Sequence, residues 1–112
     1  MPRTLRFTWD QQGRAVVSGL PPDDVLADYL AYELRPDPNR AQGMLRLLVA
    51  LRQGKRERWD VTGDAWSLEL NRARASIHSE DTIPGRSQDL PLEEFEAAIR
   101  SWLEFMELSR VH

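Results

Sequence analysis

Two stretches decide the fold: WDVTGDAWSLELNRARASIHS, Trp59 to Ser79, and LEEFEAAIRSWLEFMEL, Leu92 to Leu108. In the first, apolar and polar residues alternate with the period of strands that bury one face. With Gly63-Asp64 as the turn, Val61 is expected opposite Trp66 and Trp59 opposite Leu68, all on one face with Leu70. A two- or four-residue loop around Arg72-Ala73 sets Ala75 opposite Leu70 and Ile77 opposite Leu68. The other face then carries Arg58, Asp60, Ser67, Glu69, Ser76 and His78. In the second stretch Phe95, Ile99, Trp102, Leu103 and Met106 recur at helical spacing. Pro91 opens this helix, and Glu93, Glu94 and Glu96 in its first turns suit the helix dipole. Each stretch has one oily face and too little core alone, so a β-meander must bury itself against this helix.

Upstream, Leu5, Phe7 and Trp9 alternate with Arg6 and Thr8, and Asp10-Gln11-Gln12-Gly13 reads as a four-residue turn. A hairpin follows, with Trp9 facing Arg14, Phe7 facing Val16, Leu5 facing Ser18, and Val17 on the opposite side. Gly19-Leu20-Pro21-Pro22 stops the strand. Asp23 and Asp24 place charge at the start of a helix whose stripe is Val25, Leu26, Tyr29, Leu30, Glu33 and Leu34, ended by Pro36. Pro36-Asp37-Pro38-Asn39 reads as a break. Met44, Leu45, Leu47, Leu48 and Leu51 make a second short helix closed by Gly54. Glu80 to Asp89, with Pro84-Gly85, reads as an exposed loop.

The chain has 112 residues, one domain spanning 1–112 with a single core. No apolar run approaches the roughly 20 residues that cross a bilayer, and Met1 to Leu20 lacks the apolar core of a secretory signal. A cytoplasmic location is the expectation. With no cysteine and only His78 and His112 as imidazoles, disulfides, thiol chemistry and a metal site are not expected, nor is any cofactor. The net charge of -3 hides an asymmetry. Seven basic residues between Arg35 and Arg58 stand against Asp37 and Glu57, and eight acids from Glu80 onward stand against Arg86, Arg100 and Arg110. Either the surface is bipolar or these charges pair across the fold.

Catalytic motifs are lacking. A hydrolase would have to use His78 with Ser67, Ser76 or Ser79 and an acid such as Asp81, but Ser76 and His78 are simply the polar half of an alternating strand, and no nucleophile elbow accompanies them. The pairs Asp23-Asp24 and Glu93-Glu94 are accounted for by helix-start electrostatics, whereas Glu80-Asp81 sits in a loop and is less constrained. Nucleic acid is disfavoured, because the basic residues are spread over several elements and the pI is about 5.4. The four Trp suit interface anchors, but their strand and helix spacing favours the core, with Trp9 at the hairpin tip the most exposed of the four.

The pattern Trp59-x-Val61-x-Gly63-x-x-Trp66-x-Leu68-x-Leu70, then Ile77, then Leu90-Pro91-Leu92-Glu93-Glu94-Phe95 and Ile99-x-x-Trp102-x-x-Phe105 resembles small bacterial immunity proteins of contact-dependent and polymorphic toxin systems. The stretch from Leu5 to Leu34 is similar to the N-terminal hairpin and helix of the YacL-type family of small bacterial proteins. The resemblance implies a protein without catalysis that neutralises a cognate toxin, often a nuclease, by covering its active site. The expected fold is α+β, an antiparallel sheet of about five strands with helices packed on one face, in the order ββααβββα. The expected partner is a basic toxin domain, met by Glu80, Asp81, Asp89, Glu93 and Glu94, where charge concentrates and few apolar residues demand burial. The alternative is a housekeeping protein-interaction module, monomeric or dimeric.

Overall fold

The structure, a computed structural model, describes residues 5–63, 65–79 and 86–110, without the side chains of 109 and 110. The chain runs β1 (Arg6–Trp9), β2 (Ala15–Ser18), α1 (Asp23–Asp28) continued by a π-helical turn (Tyr29–Leu34), α2 (Pro38–Arg52), β3 (Arg58–Thr62), β4 (Trp66–Asn71), β5 (Arg74–Ser79), β6 (Ser87–Pro91) and α3 (Leu92–Arg110). The class is α+β. Among the described residues β1 and β2 form a separate two-stranded hairpin, and β3 to β6 form a four-stranded antiparallel meander. The expected order holds once β6 is inserted before the last helix, and the strands divide into two sheets rather than one. Helices α1 and α3 pack on β5 and β6, and α2 packs on α3.

Strand β6 falls in the stretch expected to be a loop. Its inward positions are Gln88 and Leu90, both buried, and a polar residue at a buried strand position conceals the alternation that announces a strand. Gln88 is accommodated because both ends of its amide are bonded. Its Nε2 donates to Asp23 Oδ1 at 3.0 Å, and its Oε1 accepts the Leu26 N–H at 3.1 Å. That N–H lies at the end of the first turn of α1, so the Gln88 amide ties the start of the helix to the sheet. Asp23 is therefore a buried tie to the sheet rather than a solvated helix-start charge. Asp24 and Asp28 together hold Arg86, at 2.8 and 2.7 Å, the residue that leads into β6. The Arg86 guanidinium is raised above its ordinary pKa, chiefly by the bond to Asp28.

Two registers differ from expectation. In the first hairpin the Asp10 N–H bonds the Arg14 carbonyl at 2.9 Å, and the Asp10 carboxylate accepts the N–H groups of Gln12 and Arg14. This leaves a loop one residue shorter, so Trp9 pairs with Ala15 and Phe7 with Val17. A slip of one residue reverses the faces: Val17 goes inward and Val16 outward. In the meander the Gly63 N–H bonds the Trp66 carbonyl at 2.7 Å, so Val61 pairs with Leu68 and Trp59 with Leu70. That shift is even and leaves the apolar face intact. The β4–β5 register is as expected, Leu70 opposite Ala75 and Leu68 opposite Ile77.

The helical segments are longer and less regular than the spacing suggests. The expected break at Pro36 to Asn39 is instead the start of α2: Asp37 accepts the N–H groups of Asn39 and Arg40, and Pro38 occupies the first turn, where a missing N–H costs nothing. Gly54 closes α2 as expected. At φ +77° it lets its own N–H reach the Leu51 carbonyl and that of Lys55 the Ala50 carbonyl. After α1, the Arg35 N–H bonds the Leu30 carbonyl five residues back, which gives the π turn.

The core centres on Trp102, fully buried on α3 with Phe95 and Ile99. Its indole Nε1 donates to the Arg35 carbonyl at 3.1 Å. Its ring lies 5.6 Å from Phe7 and 6.0 Å from Phe105. On the other side of α3, Glu96 is held by Arg52 from α2 and Arg100 from α3, at 3.2 and 2.7 Å. Burial by itself would raise the Glu96 pKa, but the hydrogen bonds from Arg100 and Arg52 outweigh it and hold the carboxyl below its ordinary value.

Replacing Trp102 with Ala removes the central side chain and is expected to cost about 3 to 5 kcal/mol, whereas exposed Glu107→Ala should stay within about 0.5 kcal/mol. Equal urea midpoints for the two would mean that α3 buries a different face. Because the Glu96 pKa is lowered by folding, its contribution is complete above the unfolded carboxylate pKa of about 4.3 and is lost as pH falls through the folded value. The stability gap between wild type and Glu96→Gln at neutral pH should therefore close in acid. Urea melts showing a constant gap from neutral to acid pH would refute this.

Candidate binding surface

The expected acidic contact is only partly described. Glu80 and Asp81 lie outside the described residues. Asp89 is exposed on β6 opposite Ser76, while Glu93 is exposed and Glu94 half-buried in the first turn of α3. The register places Asp89 in a row with residues not selected from sequence: Asp60 pairs with Glu69, Glu69 with Ser76, and Ser76 with Asp89. This row crosses the outer face of the meander, opposite the buried Leu68, Leu70, Ile77 and Leu90. The row is partly neutralised. Arg58 meets Asp60 at 2.6 Å, and His78 Nε2 lies 3.8 Å from Glu69 Oε2, an attraction only when the imidazole is protonated.

His78 sits between Ser67 and Ser87 in the neighbouring row, whereas Ser79 is buried opposite Trp66. Asp81 falls outside the described residues. Among the described residues no group of three His, Asp or Glu could hold a metal ion, and no helix is long and apolar enough to cross a membrane.

A different surface has the form of a binding site. Between the hairpin and the π turn lies an open groove of about 660 Å³, walled by Trp9, Val16, Tyr32, Pro36, Pro38 and Met106. Three large apolar side chains are exposed along it: Trp9 at 42%, Val16 at 40% and Tyr32 at 68%. Each has a local cause. The one-residue slip in the hairpin turns Val16 outward. Trp9 is held by stacking on Phe105, with ring centroids 4.8 Å apart. Tyr32 lies off the stripe of Tyr29, Leu30 and Leu34 that the π turn buries. The chain then turns at Arg35, at φ +66°, so that Pro36 and Pro38 form the far wall. Arg14 at the rim is paired with Asp10 at 3.4 Å.

Trp9 was legible in the sequence as the most exposed Trp. Trp66 and Trp102 are buried and Trp59 is half-buried. Tyr32 was missed. Its signal was an aromatic residue on the polar side of a helical stripe, beside two prolines.

No protein-family model matches the chain, and no solved structure does. The chain is similar to UPF0231 proteins of Shewanella. It is 28% identical over 99 residues to that of Shewanella putrefaciens, covering 75% of this chain and 80% of the relative. It is 28% identical over 101 residues to that of Shewanella oneidensis, with the same coverage. With that of Shewanella baltica it shares 29% over 101 residues, again 75% and 80%. These are bacterial proteins named by family alone, so the likeness brings no activity, ligand or partner to this chain.

Proposed function

We propose that the protein is a non-catalytic binding module, and in its specific form a cytoplasmic immunity protein that neutralises a cognate bacterial toxin by direct contact. The observation that carries this reading is the apolar groove with Trp9, Val16 and Tyr32 exposed along it. Aromatic side chains held rigid at a surface are where interface affinity concentrates, because they bury much area and have little freedom to lose. The occupant is an apolar segment of a basic protein. Its apolar character follows from the groove lining. Its basic character follows from the net charge of -3 and from the carboxylates of Asp60, Glu69 and Asp89 on the open sheet face, which favour the approach of a positive partner. The pairing of Arg14 with Asp10 reduces opposition to that charge at the groove itself. Neutralisation of a toxin is what the resemblance to immunity proteins adds.

The test uses the purified toxin domain encoded beside this protein's gene. Tyr32→Ala and Val16→Lys should each weaken binding about 30-fold, roughly 2 kcal/mol, with little change in urea midpoint. Undiminished affinity in both would remove the groove from the interface. Asp89→Lys with Glu93→Lys should slow association at low salt and much less at moderate salt. Rates that ignore the reversal would sink the acidic steering. A gene neighbourhood without a toxin would overturn the immunity form. His78→Ala should leave both folding and binding intact, and a loss of function with an unchanged melting curve would argue for chemistry at that residue.

A further inference from the structure

A second pocket, of about 280 Å³, opens between the π turn, the start of α2 and the edge strand β3. Its walls are apolar, with Leu34, Met44, Leu47, Trp59 and Val61, but three polar side chains also line it: Tyr29, Glu33 and Arg40. Tyr29 is 97% buried, since its relative exposure is 3%. Its ring is locked between Trp66, edge-on at 6.2 Å, and Phe95 at 6.0 Å. Its hydroxyl makes no hydrogen bond among the described residues, an expensive state for a buried polar group. Desolvation, then the Glu33 charge, drives the phenol pKa upward, against an opposing pull from Arg40, so the hydroxyl remains a neutral donor. Both charges thus act on one buried hydroxyl, and no ion pair joins them.

The position of Glu33 has a sequence cause. A Cβ at Gly63 would fall on the Glu33 carboxylate. Only glycine at the β3–β4 turn lets that carboxylate lie against the backbone there. Glu33, counted by its spacing as part of the buried stripe, instead presents a charge at a pocket wall.

We propose that this pocket binds a small zwitterion with an apolar side chain, of the size of a free α-amino acid. Its ammonium group meets Glu33, its carboxylate meets Arg40 and the Tyr29 hydroxyl, and its side chain packs on Trp59, Met44 and Leu47. The volume lies just below the range of pockets for drug-sized ligands, which begins at about 300 Å³. Glu33 is half-buried and Arg40 exposed at the pocket wall, so a ligand with only one of the two charges keeps one ion pair and forgoes the other. The site is separate from the groove above and stands or falls independently of it.

Titration of the whole protein with L-leucine, L-methionine and L-phenylalanine, by calorimetry and by Trp fluorescence, tests the proposal. Saturable binding at one site is expected. N-acetyl-L-leucine and L-leucinamide, each lacking one charge, should bind at least about tenfold more weakly, as expected for one charge-assisted hydrogen bond. Tyr29→Phe should lower affinity by a similar factor while its Tm stays level or rises, because it removes an unpartnered hydroxyl. Glu33→Gln and Arg40→Gln should weaken binding as the two blocked ligands do. Gly63→Ala should weaken binding by displacing Glu33, and Glu107→Ala should leave it unchanged. No saturation well above millimolar ligand overturns the proposal. So does equal binding of the blocked ligands, or a lowered Tm in Tyr29→Phe, which would show the hydroxyl already satisfied within the fold.

Discussion

The indole of Trp102 is the constraint on which the rest of the structure depends. A Trp can be buried completely only if its N–H finds an acceptor, and here the acceptor is the Arg35 carbonyl. That carbonyl belongs to the residue of positive φ where the π turn ends and the chain turns toward α2. One side chain of α3 therefore fixes where the first helical segment stops. Through Phe7 and Phe105 the same ring seats the N-terminal hairpin on α3. The groove is a consequence: Trp9 stacks on Phe105, and Pro36 and Pro38 follow directly from the break at Arg35.

Charge is used mainly inside the fold. Asp23, Asp24 and Asp28 on α1 bind Gln88 and Arg86, which secures β6 where its own sequence offers few apolar contacts. Glu96 on the acidic last helix takes Arg52 from the basic stretch, and Arg58 takes Asp60 on its own strand. The apparent polarity of the chain, basic in the middle and acidic at the end, is thus partly cancelled by pairing across the fold. Exposed pairs of this kind contribute little to stability. Glu96 differs because its carboxylate is largely buried between two half-exposed guanidinium groups, and losing both of them would leave its charge without a partner.

The two concave sites divide by chemistry. The groove is open and apolar, with Arg14 paired to Asp10 at the rim, and suits a large hydrophobic surface. The Tyr29 pocket is smaller and holds two opposite charges near a buried donor, and suits a compact polar ligand. Apolar contact area supplies affinity in the first. In the second, selectivity comes from the cost of an unmatched buried polar group.

By itself the sequence determined the α+β class, the meander face of Leu68, Leu70, Ala75 and Ile77, the amphipathic last helix, and the Gly54 closure. Each rests on local periodicity or on the backbone freedom of one residue, which neighbours along the chain suffice to reveal. What it left undecided depended on partners distant in the chain. Strand β6 was hidden because Gln88 is buried by virtue of Asp23 and Leu26, more than sixty residues away. The hairpin register turned on which Asp10 bonds close the loop, and that choice decided whether Val16 or Val17 met solvent. Tyr29, Glu33 and Arg40 show no motif, since only the tertiary fold brings the π turn, the start of α2 and β3 to one pocket. Local pattern specifies elements, whereas a site is made of contacts between elements, and those are set by tertiary packing.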